Sequence, residues 1–183
     1  LPYKRTQDCK EQRRIRKRKE MDRDEREDKK AILQEPRQEQ AVEAFLNGCN
    51  CAQAVFSTYA DLFGIDRQTA MNMTNSMGGG ISRLREVCGT VSALALLTGL
   101  AEGDVDPQDL KAREKVYQRT RELLAKFEEE NGSLVCRELL GILGREKAAR
   151  PSERTPEYYK KRPCAKFVAC AARIVEEELL QLS

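Results

Sequence analysis

The residues of this chain whose type suits chemistry are its cysteines: there are seven, Cys9, Cys49, Cys51, Cys88, Cys136, Cys164 and Cys170, and there is no histidine. Acid–base catalysis near neutral pH usually leans on His, and zinc enzymes commonly use it as a ligand, so both classes lose their usual instrument here. What remains is thiol chemistry, in which a thiolate attacks a disulfide or binds a metal. The cysteines stand singly, with no CxxC knuckle, so their spacing argues only weakly for a four-thiolate metal site. The N-terminal stretch reads KEQRRIRKRKE in place of an apolar secretory segment, which makes a reducing cytoplasm the expected compartment and a fixed disulfide framework unexpected.

Something must position these thiols, and the chain reads as helix after helix. Pro36 opens a stretch with Ala41, Val42, Ala44, Phe45 and Leu46 on one face, ending at Gly48. Asn50 caps a second helix that runs to about Phe63 and stops at Gly64. Asp66 caps a third, ending at Gly78, Gly79 and Gly80. From about Glu86 to Leu100 comes a nearly uncharged helix whose Gly89, Ser92, Ala93 and Ala95 permit packing on several sides, the candidate central helix. Its apolar run, Cys88 to Ala101, falls short of the ~20 residues that span a bilayer. The next helix has Asp106 as cap, Pro107 in its first turn and Asn131-Gly132 at its end, with Leu110, Val116, Tyr117, Leu123, Leu124 and Phe127 as a core stripe. Ser133 caps a short turn through Cys136 to Leu140. A polar loop follows from Arg145 to Thr155, and a last helix runs from near Pro163 to about Leu180. No alternating strand pattern and no internal repeat is present, so the expected class is all-α, a compact bundle of about five to six helices.

On this map Cys51 follows the cap Asn50, Cys88 lies in the first turn of the central helix, Cys136 lies three after Ser133, and Cys164 follows Pro163. Helix N-termini present unsatisfied N–H groups and the positive end of the macrodipole, and can hold thiols at roughly 3.5 to 7.5 instead of ~8.5. Arg83 and Arg85 precede Cys88, Arg137 follows Cys136, and Lys160, Lys161 and Arg162 precede Cys164. Any one such cysteine could equally be a small buried hydrophobe; four in like positions favour chemistry. Cys170 shares a stripe with Phe167, Ala171 and Ile174 and reads as core. Cys49 reads as neutral, though near enough to Cys51 to resolve it, and Cys9 as incidental.

The segments NGCNCAQAV (47–55), MGGGISRLREVCGTVSALALLTGL (77–100), FEEENGSLVCRELLG (127–141) and CAKFVACAARIVEEEL (164–179) resemble the C_GCAxxG_C_C family of redox-active proteins over roughly residues 36–180. That family is named for four cysteines and a CGAxxG motif, and Cys51, Cys88, Cys136 and Cys164 are the matching positions. Thr90 stands at the motif's Ala and Ala93 at its final Gly. The resemblance implies a redox role for the same four residues that the helix starts single out.

Gly78 to Gly80, with Arg83 and Arg85 nearby, could cradle an anion on backbone N–H groups, but a tight turn needing positive φ is the better reading, and GxxxxGK[ST] is absent. Residues 1–30 hold 13 Lys and Arg against 8 Asp and Glu, and the remaining 153 hold 20 against 22. The expected organisation is therefore a charged arm over 1–34, without apolar periodicity, and a helical cysteine domain over 35–183. Met21 is an expected natural start. Interleaved acids and few aromatics argue against nucleic-acid binding by the arm. Such a composition buries little apolar surface, so deleting residues 1–30 should leave the melting temperature and thiol reactivity unchanged; a large fall in melting temperature would refute the division.

The expected function is thiol–disulfide exchange or a related sulfur step on a redox partner or small sulfur compound, catalysed by Cys51, Cys88, Cys136 and Cys164, with Cys51 and Cys88 as working pair and no cofactor. The alternative is a metal site in which the same four thiolates hold zinc or an iron–sulfur cluster.

Overall fold

The computed structural model describes residues 37–103 and 105–181; the arm, with Cys9 and Met21, lies outside the described residues. Among the described residues eight α-helices follow one another: α1 (Gln38–Leu46), α2 (Cys51–Tyr59), α3 (Arg67–Thr74), α4 (Gly89–Glu102), α5 (Leu110–Asn131), α6 (Cys136–Leu139), α7 (Pro156–Lys161) and α8 (Cys164–Ile174). Six have eight or more residues, matching the expected bundle, and α6 and α7 are short. Among the described residues the only extended pairing is one antiparallel bridge, Val87 with Val135.

Most boundaries follow from local chemistry. Asn50 accepts from the Gln53 N–H at 2.9 Å while Gln53 accepts from the Asn50 N–H at 3.1 Å, a reciprocal capping box that starts α2. The Asn50 amide also donates to the carbonyls of Thr74 and Asn75, so this cap ties the start of α2 to the end of α3. A 3-10 turn extends α2 to Phe63 and stops at Gly64, which has φ 73°. Asp66 caps α3 through the Thr69 N–H.

Several boundaries differ from expectation: α4 starts at Gly89, not near Glu86, and α6 follows Val135, the Ser133 hydroxyl accepting from the Val135 N–H one residue earlier instead of capping the helix. Asp109, not Asp106, caps α5, accepting from the Ala112 N–H at 3.0 Å, while Asp106 holds the preceding turn. The helix therefore starts later, and of its expected stripe only Leu123 and Phe127 are buried; Leu110 and Tyr117 are largely exposed. Helix α7 lies beyond the expected polar loop, started by Thr155, whose hydroxyl accepts from the Tyr158 N–H, with Pro156 in its first turn.

Helix α4 packs against α2, α5 and α8, as its small and apolar residues foretold. Leu94 and Leu97 are wholly buried there with Phe56, Phe127 and Ile174, and each such side chain contributes about 1.5–3 kcal/mol. At the bundle's other end the Tyr59 hydroxyl donates to the buried Glu176 carboxylate at 2.8 Å, which also accepts from the Arg37 N–H. That network joins the start of α1, α2 and the π-helical turn Val175–Leu179 that continues α8.

Candidate active site

Cys51, Cys136 and Cys164 are the first residues of α2, α6 and α8, and Cys88 is the N-cap residue of α4, just before the first turn in which it was expected. All four line one cavity of about 40 Å³, together with Gly80, Gly89 and Arg85. All are free thiols; Cys51 is half-buried and the other three are buried.

Three local devices bring them together. Cys88 donates its N–H to the Leu134 carbonyl at 2.9 Å and Cys136 donates to the Glu86 carbonyl at 2.6 Å, so the bridge at Val87 and Val135 sets the starts of α4 and α6 side by side. Gly89 lets α4 approach α2: a Cβ there would stand 3.0 Å from the Ala52 nitrogen and 3.2 Å from Cys51 Cβ. Gly80 does the same for α6, since a Cβ on it would lie 2.6 Å from Cys136 Cβ.

The segment between α3 and α4 is a left-handed turn. Gly79, Gly80, Ile81, Ser82 and Arg83 all have positive φ, 46° to 70°, and Arg85 has φ 63°. The expected positive-φ turn is present, but it extends through residues that carry a Cβ, and a β-branched residue such as Ile81 rarely adopts it. Left-handed geometry costs roughly 1–2 kcal/mol per residue, which the hydrogen bonds from the Arg83, Arg85 and Glu86 N–H groups to Gly78, Gly79 and Gly80 help to offset. The turn places Arg85 in the interior, 2% exposed, beside Cys136 and 3.4 Å from Glu146.

Electrostatics divide the four thiols. The Cys164 thiol is pulled down to about 7, first by the thiol of Cys51, whose S–H donates to it, and then by Arg162, Arg154 and Arg85, against the burial that opposes ionisation. Cys51 is held well above the usual thiol value, by that same hydrogen bond and by burial. Burial pushes Cys88 up to about 11 although the Thr90 hydroxyl, 3.1 Å away, favours its thiolate. It also raises Cys136, against the favourable charge of Arg85. A lowered thiol, expected at helix starts, is found only at Cys164: burial is the main cause that raises Cys88 and Cys136, and the bond to Cys164 is the main cause that raises Cys51. The thiol that acts first on Cys164 is that of Cys51, while Cys88 lines the same cavity.

Cys170 lies apart, on α8, where Asn131 donates to its sulfur at 3.3 Å and burial raises its thiol, in keeping with a core role. Cys49 contacts the Met71 sulfur. Among the described residues no three His, Cys, Asp or Glu side chains are grouped so as to hold a metal ion, and no helix is long and apolar enough to cross a membrane.

Two residues were missed in the sequence. Arg154 donates to the Cys49 carbonyl and lies 4.7 Å from the Tyr158 ring centroid and 5.0 Å from that of Phe45. Tyr158, on the unforeseen α7, lines the cavity with it. The pair Thr155-Pro156, a capping residue followed by Pro, was the available signal for α7; nothing local marks Arg154. A family model described as "Putative redox-active protein (C_GCAxxG_C_C)" matches residues 49–178. No curated protein and no solved structure matches the chain.

Proposed function

The chain belongs to the C_GCAxxG_C_C family of redox-active proteins, and on that premise we propose that Cys164 and Cys51 perform thiol–disulfide exchange on a small sulfur compound. The observation that carries this reading is that one cavity gathers all four family cysteines, and within it the Cys51 thiol is the first cause that lowers Cys164. The Cys164 thiolate attacks one sulfur of a disulfide RSSR, forming a mixed disulfide and releasing RS⁻, which takes a proton from solvent. Cys51 then attacks the Cys164 sulfur, forming the Cys51–Cys164 bond and releasing the second RS⁻, which takes up the proton that leaves Cys51. The protein dithiol is oxidised by two electrons and the disulfide is reduced to two thiols; an external dithiol restores the starting state. Cys88 and Cys136, protonated and buried, form the second pair of the cavity.

Disulfide mapping by mass spectrometry after exposure to one equivalent of a small disulfide tests the assignment. A Cys51–Cys164 linkage is expected, with a trapped mixed disulfide on Cys164 in the Cys51→Ala variant. Absence of any linkage among the four would end the proposal. So would one zinc or a coloured cluster per chain after anaerobic purification, lost alike in Cys51→Ser and Cys136→Ser, which is the result the four-thiolate metal reading requires.

A further inference from the structure

The thiol cavity adjoins a second, larger one of about 510 Å³, within the range of small-molecule sites. The two share Asn50, Gly79, Arg85, Arg154, Tyr158 and Arg162 in their walls, so one is the antechamber of the other. Arg83 joins the remaining three arginines there, and among the described residues no Asp or Glu lines it.

Four guanidinium groups are poorly neutralised in this place. Glu146 is the one carboxylate among the described residues that pairs with any of them, and it serves both Arg83 and Arg85. Arg85 is 2% exposed, and its buried Nε has no hydrogen-bond partner among the described residues. The Arg154 Nη1 is likewise buried without a partner. Aromatic faces fix the Arg154 group, with the rings of Phe45, Tyr158 and Tyr159 within 6 Å, and Tyr158 lies 4.9 Å from Arg162, but stacking does not supply a counter-charge. A buried guanidinium whose N–H groups lack acceptors carries a desolvation cost that a planar oxyanion, accepting two parallel hydrogen bonds, would relieve.

We infer that this antechamber binds an oxyanion group, a carboxylate, sulfonate or phosphate, and that the sulfur compound reaching the thiols is therefore anionic. The second half rests on the exchange reading; the first stands without it. Arginines held at the entrance also steer an anion toward the cavity, an effect worth about 10- to 1,000-fold in rate at low salt.

The test compares three disulfides of similar size on the reduced full chain: 3,3′-dithiodipropionate, bis(2-hydroxyethyl) disulfide and cystamine, which are anionic, neutral and cationic. Binding of sulfate is measured separately by calorimetry at low ionic strength. The anionic disulfide should oxidise the protein at least about tenfold faster than the neutral one, and cystamine should be slowest. In Arg154→Gln the anionic-to-neutral ratio should fall toward one; the ratio divides out any change in thiol reactivity caused by the lost charge. Arg83→Gln, at a second wall of the chamber, should act in the same direction if Arg154→Gln does not fold. Sulfate should bind the wild type and be weakened in both variants. Equal rates for the three disulfides with no sulfate binding would overturn the oxyanion site and leave the exchange reading standing. Sulfate binding without reaction toward any disulfide would overturn the exchange reading and leave the oxyanion site. Sulfate binding of equal strength in wild type and both variants would show an adventitious ion only and remove the chamber from the proposal.

Discussion

At pH 7 Cys164 will react with a neutral disulfide about a hundredfold faster than Cys88. With its thiol at about 7, about half of Cys164 is thiolate at that pH, whereas a thiol at about 11 is ionised to only about one part in 10⁴. The more basic thiolate is intrinsically the better nucleophile, and a Brønsted slope of about 0.4–0.5 returns roughly 50- to 100-fold of that difference. Thiolate fraction therefore wins by about two orders of magnitude. Because the value is lowered, reactivity is present above about 7 and is lost as the pH falls through it. Rapid quenching followed by residue-by-residue mass spectrometry over pH 5–9 reads this directly. Cys164→Ser should abolish nearly all reaction at the four cavity cysteines at pH 7. Cys51→Ala removes the first cause of the lowering, so the Cys164 midpoint should move upward; a midpoint that stays put would show that the arginines alone ionise the thiol.

Gly80→Ala should lower the melting temperature by roughly 5–15 °C. The residue has φ 69°, and a Cβ there meets Cys136 Cβ at 2.6 Å and the Glu86 nitrogen at 2.8 Å. Left-handed strain contributes about 1 kcal/mol or more and overpacking against backbone about 1–3 kcal/mol. For a chain of this size each kcal/mol moves the midpoint by about 2–4 °C. Gly64→Ala is the control, since Gly64 has φ 73° but nothing within 4 Å of its added Cβ, and it should cost only the strain, about 2–4 °C. Equal losses in the two variants would mean that Gly80 serves backbone conformation alone and does not seat Cys136 in the cavity. Calorimetry of both variants under reducing conditions distinguishes these outcomes.

Helix starts were legible in the sequence because a cap acts over three or four residues. Asn50 with Gln53, Asp66 with Thr69, and Gly64 and Gly132 as stops all behave as their side chains or their freedom at positive φ require. The position of Cys51 at a helix N-terminus follows from those local rules, whereas the helices at Cys136 and Cys164 start after Val135 and Pro163 without a side-chain cap. The rule failed where two capping residues compete, as with Asp106 and Asp109. It also failed at Arg154, whose neighbours Phe45 and Tyr159 lie on α1 and α7 and leave no trace at short range.

Residue types and local spacing were enough for the class of chemistry and the helical elements that carry it: four thiols at or beside helix ends, no histidine, and a nearly uncharged helix able to pack on three sides. Tertiary structure alone decided which thiol ionises. A helix N-terminus is worth about 0.3–1 kcal/mol to a negative charge near the surface, whereas full burial can move an ionisable group by 3–5 pH units the other way. Packing buries Cys88 and Cys136 and so raises both. The same packing sets Cys51 against Cys164 and turns three arginines toward that sulfur's side of the cavity, so that Cys164 alone goes down. Burial and charge depend on residues far apart in the chain, and for that reason no local pattern could have ranked the four.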